Sequence, residues 1–183
     1  MSISTRRGDE GQTDLLFGRR RAKSHPRIHA LGAVDELNAA LGLVRIKAVQ
    51  SETSPFAAKV QMDLIALMGE LATAPGDEQR YRDSHPQVIA EANVQWLDEW
   101  VAKLEAGPAG TFDGWSLPGA AGSEAGAHLD VARTICRRAE RVIADLEDGP
   151  EAVPNAEVMR YLNRLSDVLW LFARWEEKGP AAA

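Results

Sequence analysis

Apolar residues recur with the period of an α-helix in five segments of this 183-residue chain. Side chains three and four positions apart share one face of a helix, so this spacing predicts amphipathic helices. The predicted helices cover roughly residues 26–50, 55–75, 86–104, 128–146 and 155–178. Proline and glycine lie between the segments, as expected for turns. The predicted fold class is all-α, a five-helix bundle with short loops and no convincing strand.

The fourth predicted helix separates its charged side chains from its apolar ones. An arc of about 100° carries most of the charge, and it contains Arg133, Arg137, Glu140 and Arg141 with Asp130 beside them. Three arginines on one arc repel one another unless an anion lies among them, and guanidinium groups match the geometry of phosphate oxygens. The alternative is a solvated charged face with ion pairs between neighbouring turns.

Residues 5–23 show neither a helical nor a strand period, but they contain three glycines, Gly8, Gly11 and Gly18. Glycine lets backbone N–H groups approach an anion closely, and the segment also offers donors from Thr5, Thr13 and Lys23. The composition favours a phosphate-binding loop without the Walker spacing. A basic disordered tail is the alternative.

A narrow stripe of mostly small residues follows the first predicted helix, namely Ile28, Gly32, Asp35, Ala39, Gly42 and Ile46. Small residues allow another helix to approach closely. A carboxylate in the middle of this stripe would be partly buried and would need a cationic partner. An arginine from another helix or another subunit is the natural candidate, and an exposed aspartate is the alternative.

Two further segments offer polar or aromatic groups near the arginine helix. The last predicted helix places Asn163 and Asp167 on the side opposite its apolar residues, together with Arg160 and Arg174. Residues 107–126 are too rich in Gly, Ala and Pro for a regular element, yet they include Trp115. This tryptophan either covers a ligand or forms a hydrophobic plug.

Composition and charge narrow the class of ligand. With 45% hydrophobic and 26% charged residues, the chain suits one domain over residues 1–183. The net charge is −6, but residues 1–27 hold seven basic and three acidic residues, so this leader carries +4 and the remainder −10. An acidic body argues against nucleic acid as the main partner, because such binding needs a broad basic surface. A small phosphorylated ligand fits better.

The cysteine content and the apolar runs predict the compartment in which the protein is found. Cys136 is the one cysteine, which excludes an internal disulfide, fits a reducing compartment and is expected to be buried. The longest obvious apolar run has six residues, and no signal-type apolar core is visible at the start of the sequence. We therefore expect a cytoplasmic protein without a membrane partner.

A zinc site is a weak alternative. His25 and His29 lie four residues apart in the sequence, but no other cysteine, histidine or carboxylate cluster completes a site with them.

Several segments, in this order, resemble the PduO-type ATP:cob(I)alamin adenosyltransferases over nearly the whole chain. They are TRRGDEGQT with Lys23, LGAVDELNAALGLVR, VQMDLIALMGELAT, LPG, ARTICRRAER and YLNRLSDVLWLFAR. The resemblance implies a five-helix bundle with ferritin-like up-down packing, assembled as a homotrimer. It also implies that ATP and cob(I)alamin bind between subunits as substrates, with residues 1–24 around the ATP and residues 25–178 as the bundle.

The resemblance also implies residue roles. The ATP-binding residues of the leader would be Thr5, Arg6, Arg7, Gly8, Thr13, Asp14 and Lys23. In the bundle, Arg137 would contact the polyphosphate, and Glu140, Arg141 and Asn163 would complete the nucleotide site. Asp35 and Arg133 would form a salt bridge between subunits. Turnover would thus depend most on Arg137, Asp35, Arg133 and Asn163.

The implied reaction is attack of cobalt(I) on the 5′ carbon of ATP, which yields adenosylcobalamin and triphosphate. Mg²⁺ would enter bound to ATP, and Trp115 would lie on the corrinoid side. The chain departs from the family pattern in its longer LPGAAGSEAG loop, in Asp130, where the family commonly has histidine, and in Arg7, where a small hydroxyl residue is common. A weakly active carrier or regulator that serves a cobalamin-dependent enzyme, and a helical interaction module, are the alternatives.

Overall fold

Six α-helices and one β-hairpin form the part of the chain that the computed structural model describes, which is residue 4 and residues 6–85, 87–107, 109–110 and 114–179. The strands are β1 (Gln12–Asp14) and β2 (Arg20–Ala22), and the helices are α1 (Pro26–Lys47), α2 (Thr53–Leu71), α3 (Glu78–Ser84), α4 (Glu91–Ala106), α5 (Glu124–Glu147) and α6 (Glu157–Glu176). Five of the six helices match the five predicted from periodicity. The short α3 falls in a region predicted as a loop.

Local capping explains where the helices begin. Pro26 occupies the first turn of α1, and His25 caps it by accepting a hydrogen bond from the Arg27 backbone N–H at 3.3 Å. Ser123 caps α5 in the same way, through the N–H of Gly126 at 3.0 Å. At the start of α6, Asn155 Oδ1 accepts a hydrogen bond from the N–H of Glu157 at 3.2 Å.

The five long helices alternate in direction. The start of α1 meets the end of α2, where Arg27 donates to the carbonyl of Leu71 at 3.1 Å. The other end of α1 meets the start of α5, where Lys47 and Glu124 form an ion pair at 2.5 Å. Lys103 near the end of α4 likewise pairs with Glu52, just before α2, at 2.5 Å. None of the helices within the described ranges is long and apolar enough to cross a membrane.

The core lies between these helices and is built from their apolar faces. Its large, fully buried apolar side chains include Phe56, Tyr161, Phe172, Leu37, Leu41, Leu64, Leu67 and Leu97. Burial of each leucine contributes roughly 1.5–3 kcal/mol. Phe56 stacks on Phe172 at 4.3 Å and on Trp96 at 5.2 Å between ring centroids, so Trp96 of α4 packs against the core. Cys136 is fully buried, as predicted.

The hairpin corrects the prediction of a chain without strands. β1 and β2 pair antiparallel with Gln12 opposite Ala22, and a 3-10 turn from Leu16 to Gly18 joins them. Phe17 in this turn has a positive φ of 60°, a conformation that non-glycine residues seldom adopt. Strands of three residues are too short to reveal an alternating pattern, which is why periodicity missed them.

A buried arginine joins three parts of the fold at this end of the bundle. Arg27 is only 1% exposed, and its guanidinium donates to the carbonyls of Leu71 (3.1 Å), Thr73 (2.7 Å) and Ala152 (2.7 Å). Its Nε also lies 3.1 Å from Glu151, whose negative charge partly offsets the pKa-lowering effect of burial on Arg27. The α1 start, the α2 end and the α5–α6 connection are therefore held together by one cation.

We expect Arg27→Met to reduce the free energy of unfolding by about 3 kcal/mol or more, because it leaves Glu151 and several buried carbonyls without their donor. Urea denaturation followed by circular dichroism measures the loss. Arg45→Met on the exposed side of the same helix is the control, with an expected change within about 0.5 kcal/mol. Equal unfolding midpoints for the two variants would contradict this role.

Candidate functional site

The exposed face of α5 carries the predicted cationic surface. Arg137 and Arg141 are exposed, and Arg133 and Glu140 are half-buried. Glu140 accepts a hydrogen bond from the Asn163 amide of α6 at 3.1 Å, so the structure brings two of the predicted nucleotide residues into contact. Neighbouring guanidiniums around a hydrogen-bonded amide and carboxylate form a surface that can bind phosphate oxygens.

Asp35 lies exposed on α1 in this chain. Its neighbour Glu36 forms an ion pair with Arg138 of α5, and this guanidinium lowers the pKa of Glu36. Arg133 pairs with Asp130 of its own helix rather than with Asp35. The predicted bridge between Asp35 and Arg133 is thus not formed within one chain.

The prediction that Asp130 lies on the charged face of α5 is wrong, because its side chain points into the protein. Asp130 is only 3% exposed, and its carboxylate accepts hydrogen bonds from Arg133 Nε at 3.1 Å and from Arg174 Nη2 at 2.6 Å. Arg174 was predicted on the exposed polar side of the last helix, yet it is only 5% exposed. The packing of α5 against α6 buries both groups, and they neutralise each other.

An open cleft of about 810 Å³ lies beside this ion pair. Its lining consists of Gly114, Trp115, Ser116, Leu117, Pro118, Asp130, Arg133 and Trp170. Trp115 is fully exposed at the cleft, which excludes a hydrophobic plug in this chain. The cleft combines apolar surface with an ion pair and has the size of a small-molecule site.

Four of the predicted leader residues, Arg7, Gly8, Asp14 and Lys23, have contacts in or next to the hairpin. Lys23 lies over Gly8, where an added Cβ would stand 3.1 Å from the lysine Nζ, and its backbone N–H donates to the carbonyl of Gly11 at 2.8 Å. Asp14 pairs with Arg7 at 3.1 Å and with Arg20 at 3.6 Å. Of the remaining predicted residues, Arg6 is exposed, Thr13 is half-buried in β1 and Thr5 lies outside the described residues.

Among the described residues, three contacts anchor the hairpin to the bundle, and no sequence pattern predicted them. Arg19 forms a two-pronged ion pair with Asp77 at 2.6 and 2.9 Å, which lowers the pKa of Asp77. The Leu16 N–H donates to the Ala72 carbonyl at 2.9 Å. The Arg80 guanidinium lies 4.1 Å from the ring centroid of Phe17. The hairpin is thus fixed to the end of α2 and to α3.

These elements define a helical-bundle protein with a cationic surface on α5 and a basic leader in residues 1–27, both suited to a polyphosphate. A sequence model of the family described as "Cobalamin adenosyltransferase" matches residues 3–176. The chain belongs to the cobalamin adenosyltransferase family.

Similar proteins agree with this membership. The corrinoid adenosyltransferase PduO of Citrobacter freundii is 39% identical over 180 residues, which cover 97% of this chain and 50% of that protein. The chain thus spans about half the length of this relative. The cobalamin adenosyltransferase of Cupriavidus metallidurans is 37% identical over 173 residues, 94% of this chain and 86% of that protein.

Solved structures agree as well. A variant PduO-type ATP:corrinoid adenosyltransferase from Lactobacillus reuteri, complexed with cobalamin and ATP, has a TM-score of 0.84 and 32% identity to this chain. The likeness covers 98% of this chain and 94% of that one. A second variant of the same protein, also complexed with cobalamin and ATP, has a TM-score of 0.82 and 34% identity, with 98% and 97% covered.

We expect Asp77→Asn to speed hydrogen exchange in the hairpin at pH 7, because it removes the charge that Arg19 binds. The pKa of Asp77 is lowered in the folded chain, so its stabilising effect is fully present above about pH 4. This effect is lost as the pH falls through the lowered pKa. Hydrogen exchange read by mass spectrometry over residues 12–22 measures it.

Asp83→Asn on the exposed side of α3 is the matched control, since Asp83 accepts only from Gln79 among the described residues, at 2.8 Å. Its hairpin exchange should equal that of the unmodified chain. Unchanged hairpin exchange in Asp77→Asn would show that the ion pair does not anchor the hairpin.

Proposed function

We propose that this protein transfers the 5′-deoxyadenosyl group of ATP to cob(I)alamin and forms adenosylcobalamin and triphosphate. The observation that carries the proposal is the family match over residues 3–176. The geometry supports it, because Arg133, on the same helix as Arg137 and Arg141, lines a cleft together with the 114–118 loop. A cationic surface beside a partly apolar cleft suits a polyphosphate and a large ring ligand side by side.

The reaction needs alignment and charge stabilisation more than a protein base. The cobalt(I) electron pair attacks the 5′ carbon, a Co–C bond forms, and the C–O bond breaks with its electrons on the departing triphosphate. Arg137 and Arg141 of α5 would stabilise this growing negative charge, together with Mg²⁺ carried by ATP. Glu140 would orient Asn163 through the hydrogen bond between them. Exclusion of water would fall to the 114–118 loop, with Trp115 on the corrinoid side.

The leader would bind the rest of the ATP. We assign this role to Thr5, Arg6, Arg7, Gly8, Thr13, Asp14 and Lys23, within one domain that comprises a leader of residues 1–24 and a bundle of residues 25–178. The close approach of Lys23 to Gly8 supports it, since any larger residue at position 8 would displace the ammonium group. Lys23 would supply one more positive charge to the phosphates.

The active form would be a homotrimer with its sites between subunits. Asp35 shares its face of α1 with Leu43 and Ile46, and all three are exposed in the single chain. Two exposed apolar side chains beside Asp35 support a subunit contact on this face. Asp35 would reach Arg133 of the neighbouring subunit across this surface. We place the protein in the cytoplasm, where its one cysteine, Cys136, stays reduced.

The direct test is incubation with ATP, Mg²⁺ and chemically reduced cobalamin, followed by the spectrum of a light-sensitive Co–C bond. Product formation with release of triphosphate supports the enzyme. The exposure of Trp115 and the altered loop favour one other function, a carrier or regulator that binds both ligands for a cobalamin-dependent enzyme. Tight binding of ATP and cobalamin without alkylation would favour this carrier.

We expect Arg137→Ala to lower kcat/KM by roughly 10²–10³, since it removes a guanidinium from the departing triphosphate. Its unfolding free energy should change by less than about 0.5 kcal/mol, because the side chain is exposed. Steady-state kinetics and urea denaturation measure the two quantities. Arg160→Ala is the control, because it removes an exposed arginine from α6 instead of α5, and it should keep full activity. Unfolding of the Arg137 variant would contradict its assignment.

Asp35→Ala should weaken both assembly and turnover, because it leaves Arg133 of the neighbouring subunit without its carboxylate. Sedimentation velocity over a range of concentrations and steady-state kinetics measure the two effects. Glu36→Ala is the matched control, since Glu36 pairs with Arg138 of its own chain. An unchanged trimer with normal kinetics in the Asp35 variant counts against the bridge.

A further inference from the structure

The buried carboxylate of Asp130 joins Arg133, Arg174 and the wall of the cleft. Asp130 lies between Arg133 of α5 and Arg174 of α6, at 3.1 and 2.6 Å. It also belongs to the lining of the cleft, with Trp170. Because Asp130 is only 3% exposed, it cannot itself reach a second chain.

Arg133 contacts Asp130 through Nε, and its Nη1 and Nη2 donate to no residue in the part of the chain that the structure describes. Arg133 donates to Asp130 through Nε, whereas a carboxylate from another subunit would use the outer edge formed by Nη1 and Nη2. The Arg133 side chain is 25% exposed, so this contact holds a partly buried group in one orientation. An arginine with one fixed edge loses less rotamer entropy when it binds a second carboxylate.

Asp130 is in turn held from the α6 side. Arg174 Nη2 donates to Asp130 and to Glu177 Oε1, the latter at 2.9 Å, and the guanidinium lies 5.3 Å from the ring centroid of Trp170. Arg174 Nε lies 2.7 Å from Glu177 Oε2 without hydrogen-bond geometry, and Nη1 is buried without a hydrogen bond to any described residue. A buried cation with so few donors satisfied depends on a charged carboxylate beside it.

We propose that Asp130 is a positioning residue that sets the orientation of Arg133 for Asp35 of the neighbouring subunit. This inference rests on the proposed function, because it assumes that subunits meet at Asp35. The charges of Asp130, Arg133, Arg174 and Glu177 balance, so the network adds no net charge to the cleft. Trp170 and Arg174 then connect the cleft wall to the subunit contact through one carboxylate.

A double-mutant cycle between Asp130 and Asp35 tests the inference. Asp130→Asn keeps the size of the side chain and removes its charge, and Asp35→Asn does the same at the exposed position. Each is measured singly and together, by the dissociation constant of the assembled form and by kcat and KM for ATP. We expect Asp130→Asn to weaken assembly roughly tenfold or more when Asp35 is intact, and to have little further effect in the Asp35→Asn background.

Asp63→Asn is the matched control for the loss of a buried carboxylate. Asp63 is 7% exposed and accepts hydrogen bonds from Lys59, Asn93 and Tyr161. Asp63 lies on α2, far from Arg133 in the sequence. It should lower the unfolding midpoint without coupling to Asp35→Asn. Coupling equal to that of Asp130 would reduce the effect at Asp130 to general destabilisation and overturn the proposal.

Asp130→Glu covers the case in which Asp130→Asn does not fold. It keeps the negative charge that Arg174 needs and moves the carboxylate by one methylene, so the chain should fold while Arg133 is displaced. The same cycle with Asp35→Asn should again show non-additive effects. Additive effects in a folded variant overturn the positioning role.

Failure of this inference and failure of the proposed function give different results. If the unmodified chain forms no adenosylcobalamin and does not assemble, the proposed function fails before the cycle is measured. If the unmodified chain is active and Asp35→Asn weakens it, but Asp130 and Asp35 act additively, only the role of Asp130 is lost.

Discussion

The buried guanidinium of Arg27, which is only 1% exposed, holds together the end of the bundle that carries the leader. Arg27 can be buried only because Glu151 and three or more backbone carbonyls accept its N–H groups. Those carbonyls belong to the end of α2 and to the α5–α6 connection, so the same group sets where both segments lie. The hairpin bonds to Ala72 and Asp77, which follow the end of α2 that Arg27 holds.

The basic leader and the α5 arginines differ in how firmly they are held. The hairpin is held by contacts to α2 and α3, whereas the guanidiniums of Arg137 and Arg141 stand on α5 and are exposed. Arginines grouped in this way gain little from one another and gain much from a multivalent anion. An arrangement of this kind is more useful for ligand binding than for the stability of the single chain, where exposed charges contribute little.

Helical periodicity predicted the five long helices because each has one broad apolar face, as on α2 and α6. It missed α3, which has seven residues and one buried side chain, Tyr81, and it missed the three-residue strands. It also placed Asp130 and Arg174 on polar faces, which is correct for each helix alone. Their burial arises where α5 crosses α6, and the spacing within one helix contains no information on that crossing.

The same limit explains why helical spacing could group the candidate site residues on one face but could not predict their contacts. Helical spacing placed Arg133 and Arg137 on one face, and both are on the accessible side of α5. Only the tertiary structure reveals that Arg133 is already bound on one edge by a buried carboxylate, while Arg137 has no such contact with any described residue. Arg133 and Arg137 lie one helical turn apart, yet Arg133 is held in one orientation, whereas Arg137 can adjust its side chain to a bound ligand.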